Sequence, residues 1–260
     1  MVAAAVTFSL SSASAGVLYM IDDDSNTLLR IDPTTAAVTV VGSTGISAGD
    51  FGDLSYNPAD GKLYWVAGRD NDNLYTIDPA TGLATLVGFY GIDDLFALAW
   101  DTKNNVLYAE AADSVLYTLN PTTGAATVVG SNSGPYPGGL VYNPVSDVLY
   151  VLEAGTDHMY TVNRATGATT YAFGGSFNVN DNGVAYDPDT NSYWVASWNS
   201  AFYHYNTTFS SRTTYTYSNS LDGIAYAGAL TATPEPGTLL LLGAGLVTAG
   251  FWRRRRPVSR

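Results

Sequence analysis

The side chains of this 260-residue chain that could do chemistry are mostly carboxylates and amides. Asp50, Asp53, Asp93, Asp94, Asn180, Asp181, Asn182 and Asp222 gather just ahead of a recurring apolar motif. A second group, Asp22, Asp23, Asp24, Asp70, Asn71 and Asp72, falls between two other recurring motifs. Oxygen-rich clusters suit Ca²⁺, which is held by carboxylates, amides and carbonyls. No EF-hand spacing is present, so such ligands would have to converge from separate parts of the chain. The candidate ligand or cation face is Asp50, Asp53, Asp94, Asp181, Asn182 and Asp222; no other cofactor is implied. The same groups support a second chemistry. Asp53, Asp94 and Asp222 could act as general acid and base in glycoside hydrolysis. Glu110 and Glu153 are the other candidates for that acid–base chemistry, although both fall near B-strand ends, where a carboxylate could simply face solvent. His158 and His204 stand in different repeat columns, which argues against a metal pair. No phosphate loop, nucleophile elbow or zinc motif occurs, and the absence of cysteine excludes thiol catalysis and a disulfide scaffold.

Charge narrows the partners. Residues 1–252 carry six basic groups against 23 acidic ones, a net of −17. A body this acidic repels phosphate backbones, so nucleic acid is not an expected partner. Only 13% of the chain is charged, while 46% is apolar and 13% aromatic, enough to fill a substantial core.

The elements that must position these oxygens are repeats. Four motifs recur in fixed order. The first, A, is DLSYNP at 53–58, returning as ALAWDT, GLVYNP, GVAYDP and GIAYAG. The second, B, is KLYWV at 62–66; the third, C, is LYTIDP at 74–79; the fourth, D, is ATLVG at 84–88. Tyr56, Trp100, Tyr142, Tyr186 and Tyr226 mark the first motif at spacings of 44, 42, 44 and 40 residues. Each motif is short, rich in Val, Ile, Leu, Tyr and Thr, and bounded by turn formers, which reads as a strand. Four strands per unit of this length predict propeller blades. The turn Asp78-Pro79-Ala80-Thr81-Gly82 explains the C-to-D connection: Asp bonds the turn backbone, Pro presets φ, and Gly accepts a left-handed position.

The chain starts with B, C and D motifs at 17–22, 28–33 and 38–42, and ends its repeats with a lone A at 223–228. Those pieces complete one another, so the expected fold is all-β: a five-bladed propeller whose C-terminal A strand pairs with the N-terminal B strand. The order of motifs resembles blades of the YWTD and NHL propeller families over about residues 17–228, a resemblance that specifies scaffold rather than activity. Ligands then belong at the channel mouth, formed by the D-to-A and B-to-C loops. Phe51, Phe89, Tyr90, Phe96, Tyr136, Phe177 and Trp198 break the repeat pattern there, and packing into a plug is favoured over ligand contact.

The two ends read as addresses. Residues 1–15 are small and apolar and end in Ala13-Ser14-Ala15, the cleavage pattern of a signal peptide, although no Lys or Arg precedes Arg30. Near the other end, Gly237 to Trp252 is a charge-free stretch of 16 residues followed by Arg253, Arg254, Arg255 and Arg256. It predicts a short transmembrane helix over 237–252 with its Arg-rich tail in the cytoplasm. Pro234, Glu235 and Pro236, the apolar stretch and the Arg run together resemble the PEP-CTERM sorting signal of Gram-negative bacteria. The resemblance implies passage through the inner membrane, recognition by an exosortase, cleavage near Pro-Glu-Pro, and display at the surface or in the matrix of exopolysaccharide-producing cells. Similar tails also carry the name of an ice-binding protein C-terminal region. The expected organisation is a signal peptide (1–15), a propeller (16–232) and a sorting signal (233–260). The expected function is a non-enzymatic surface or matrix protein that binds polysaccharide, a protein or Ca²⁺. A channel-mouth glycosidase is the alternative. Ice binding ranks third, because the Thr residues sit in turns and twisted outer strands.

Overall fold

The computed structural model describes residues 16–47, 51–69, 71–131, 134–177 and 181–228. The chain divides into two units, and the unit Ala15–Gly228 is a five-bladed β-propeller of four-stranded antiparallel blades. Blade 1 combines β20 (Leu221–Ala227) with β1 (Val17–Asp22), β2 (Thr27–Ile31) and β3 (Val38–Ser43). Blade 2 is β4 (Asp53–Asn57), β5 (Lys62–Val66), β6 (Asn73–Ile77) and β7 (Ala84–Phe89). Blade 3 is β8 (Leu95–Asp101), β9 (Val106–Ala111), β10 (Val115–Leu119) and β11 (Ala126–Ser131). Blade 4 is β12 (Pro137–Asn143), β13 (Val148–Glu153), β14 (His158–Val162) and β15 (Thr169–Gly174). Blade 5 is β16 (Asp181–Asp187), β17 (Ser192–Ser197), β18 (Ala201–Tyr205) and β19 (Arg212–Thr216). The expected closure is present: Tyr19 pairs with Ala225 and Met20 with Ile224. The signal peptide, the sorting signal and the helix at 237–252 lie outside the described residues. Among the described residues no helix is long and apolar enough to cross a membrane.

Apolar clusters fill the seams between blades. Tyr64, Val66 and Leu74 of blade 2 meet Leu98, Trp100 and Leu107 of blade 3. Leu18, Met20 and Leu29 of blade 1 meet Trp194, Ala196 and Phe202 of blade 5, so the closing seam is packed as the others are. Trp65 and Trp194 are wholly buried, and each such side chain contributes about 2–3 kcal/mol through burial.

The repeated turns behave as their chemistry predicts. Asp78 accepts the Ala80 N–H at 2.8 Å, and Asn120 accepts those of Thr122 and Thr123 at 2.8 and 3.1 Å. Gly82 is left-handed, with φ 81°. It is needed for a second reason: a Cβ there would lie 2.5 Å from the carbonyl oxygen of Gly42 on the preceding blade. Blade 5 lacks this glycine, and Phe209 takes the left-handed position at φ 59°. Its fully buried ring stacks on Tyr205, with centroids 4.2 Å apart.

Candidate functional site

The propeller axis is lined by the inner strands β4, β8, β12, β16 and β20, one from each blade. In four of them the position facing the axis is small: Ala97, Gly139, Gly183 and Gly223. The pairing register shifts at or beside these four residues, a bulge that bends the strand at its start. Gly183 and Gly223 have φ of 121° and 55°. A Cβ on Gly183 would stand 2.7 Å from the Gly223 Cα, so the backbones themselves crowd the axis.

The fifth position is Asp53, and its carboxylate fills the space the small residues leave. Oδ1 accepts the Leu54 N–H at 2.8 Å, while Oδ2 accepts those of Leu98 at 2.8 Å and Leu140 at 3.4 Å. The Ile224 N–H also bonds this carboxylate. One side chain therefore joins blades 1, 2, 3 and 4. It is fully buried, and burial pushes its pKa well above the ordinary Asp value while the converging N–H groups pull it back.

The other predicted oxygens separate into different environments. Asp222 is also fully buried, and its Oδ2 accepts the Gly52 N–H across the seam between blades 1 and 2. Asp94, left-handed at φ 53°, is half-exposed and accepts from Arg69 Nε at 3.3 Å. Asp22 is buried and accepts from Ser25 N–H, Tyr217 hydroxyl and Asn219 amide. Asp24 accepts the Ser220 N–H at 3.1 Å. Asp50 lies outside the described residues, as do the side chains of Asp181 and Asn182 at the start of β16. Among the described residues, no three His, Asp or Glu side chains gather as a metal-holding group.

Above Asp53 the mouth is covered by rings. Phe51 meets Trp198 at a centroid distance of 3.7 Å and Phe96 at 5.0 Å, and Phe96 meets Tyr136 at 5.9 Å. These four side chains come from blades 2, 5, 3 and 4, so the cluster bridges the opening. The Arg69 guanidinium lies 4.6 Å from the centre of Phe51, a cation–π contact that also holds it beside Asp94. Packing accounts for Phe51, Phe96 and Trp198, as the sequence suggested. Tyr136 remains 42% exposed, so one ring edge of the cluster faces water.

Sequence reasoning named Glu110 as a candidate acid or base but missed its environment. A place near a strand end suggests solvent, yet Glu110 is fully buried at the end of β9, and among the described residues neither carboxyl oxygen has a hydrogen-bond partner. Burial, with the Asp113 charge adding, pushes its pKa up to about 8. A signal existed: the equivalent residues are Ile21, Val66, Leu152 and Ala196, an apolar column. Glu153 is different, accepting from Thr156 Oγ1 at 2.9 Å and standing 3.3 Å from His158 Nδ1. His204 stacks on Trp194 with centroids 4.1 Å apart, and its Nε2 is 2.7 Å from Ser192 Oγ. Burial lowers its pKa.

Solved structures share this architecture. A chain of the crystal structure titled "Nidogen/Laminin Complex" aligns with TM-score 0.60 at 14% identity, over 82% of this chain and 99% of that one. A structural genomics protein of unknown function from Bacteroides thetaiotaomicron aligns with TM-score 0.52 at 19% identity, over 85% of this chain and 63% of that one. Likeness at these identities shows the fold alone. No curated protein matches the chain. Two overlapping stretches, residues 1–99 and 86–250, match a single family model, and the chain belongs to the family described as "Domain of unknown function (DUF4394)".

Proposed function

We propose that the chain is an exported, non-enzymatic propeller that acts at the cell surface or in the extracellular matrix and binds polysaccharide at the rim of its covered mouth. The observation that carries this reading is the exposed edge of the aromatic cluster, where Tyr136 stands with the half-exposed Arg69–Asp94 pair. A ring edge beside a cation and a carboxylate offers a sugar one stacking surface, donors and acceptors. The glycosidase alternative is less well supported, since the Asp53 and Asp222 carboxylates are buried and already accept backbone N–H groups. Delivery would follow the Pro234-Glu235-Pro236 signal and its apolar stretch, with an exosortase as the processing partner and the inner membrane as a station in transit.

Isothermal titration of residues 16–228 with the host's exopolysaccharide and, separately, with Ca²⁺ tests the binding half. Heat with polysaccharide that Tyr136→Ala abolishes supports it. Flat traces overturn it, Ca²⁺ heat alone transfers the function to a cation site, and release of reducing sugar from the polysaccharide turns the reading toward an enzyme.

A further inference from the structure

We infer that the axis of this ring is an anion-binding nest, which the protein fills with its own Asp53 carboxylate and which takes a small free carboxylate when that group is removed. The inference rests on backbone geometry and not on the proposed surface role. Bulged inner strands turn the N–H groups of Leu98, Leu140 and Ile224 toward one point, joined by that of Leu54. Converging N–H groups in a water-excluded space form a concavity of positive potential, as in the loops that bind phosphate. In four of the five blades the equivalent side chain is hydrogen or methyl, so the cavity is sized for one carboxylate and not for five side chains. Ala and Asp differ by a single carboxyl group, which makes formate the ligand matched to the space that Asp53→Ala vacates. A cation is the wrong class, because the described groups that meet here are donors. Asp222, the other fully buried axial-end carboxylate, is engaged with Gly52 and leaves the nest to Asp53.

The experiment compares the thermal midpoints of the full chain and of its Asp53→Ala and Asp53→Asn variants in sodium formate and in sodium chloride at equal ionic strength. Asp53→Ala should melt lower than the parent, and formate should raise its midpoint by a saturable amount that chloride does not match. The parent and Asp53→Asn, whose side chains still occupy the nest, should respond equally to the two salts. Should Asp53→Ala fail to fold, the same comparison is read as soluble yield on refolding, with formate expected to restore it. An Asp53→Ala chain that melts with the parent, or that gains no more from formate than the parent does, overturns the inference.

Discussion

Phe51 of blade 2 and Trp198 of blade 5 meet with ring centroids 3.7 Å apart, although their blades are not neighbours in the ring. Phe51 makes this contact from a left-handed backbone, φ 71°, which costs a bulky L-residue about 1–2 kcal/mol. Phe51→Ala should lose the ring and keep the strain, lowering the unfolding free energy by about 2 kcal/mol. Phe51→Gly should lose the ring and relieve the strain, costing about 1 kcal/mol less than Ala. Urea denaturation of both variants checks the order, and a Gly variant weaker than the Ala variant would dismiss backbone strain as a factor.

Glu110 makes stability depend on pH in a stated direction. Its folded pKa, pushed up to about 8, exceeds the ordinary Glu value of about 4.5 because burial penalises the charge. A raised carboxyl pKa contributes stability that is full below the unfolded value and is lost as pH rises through the folded one. The parent should therefore weaken between about pH 4.5 and 8, by on the order of a few kcal/mol. Glu110→Gln should flatten that slope, and Glu110→Leu, matching the apolar column, should exceed the parent at pH 8. Denaturation midpoints across this range decide it. Parallel slopes for parent and variants would assign the pH dependence elsewhere.

The fold was legible in the sequence because motif spacing, turn chemistry and the split first blade all agree on one ring. The site was less so. The alignment that revealed the blades also placed Asp53 in a column of Ala97, Gly139, Gly183 and Gly223, which marks a crowded axis. What it could not supply was the bulge at the start of the inner strands, and that bulge aims the N–H groups at the carboxylate. Contacts across the mouth depend on loop paths that no periodicity encodes. The burial of Glu110 was in principle readable, since its repeat equivalents are apolar, but its place near a strand end suggested water.

Two glycines with nearly the same backbone separate strain from collision. Gly61 and Gly82 have φ of 72° and 81°, yet a Cβ at Gly61 meets nothing within 4 Å while one at Gly82 runs into the Gly42 backbone of the adjoining blade. Gly61→Ala should cost only the conformational penalty, about 1 kcal/mol. Gly82→Ala should cost about 2–3 kcal/mol, because the carbonyl it meets belongs to a paired strand and cannot yield cheaply. Equal losses in a denaturant titration would mean the blades separate easily at this contact.

Closure carries the largest expected effect. Removing β20 deprives β1 of its inner partner along Val17–Asp22 and takes Tyr226 from Asp189, whose Oδ2 it bonds at 2.7 Å. Exposed inner edges and an unfilled seam between blades 5 and 1 then act together. A chain ending at Gly228 should unfold in one cooperative transition. A chain ending at Asn219 should lose that transition, and a peptide of residues 220–228 supplied in solution should restore part of it by taking the vacant place beside Tyr19. Circular dichroism melts of the two chains, with and without peptide, provide the measurement. If the shorter chain melts as the longer one does, ring closure is not what holds the blades together.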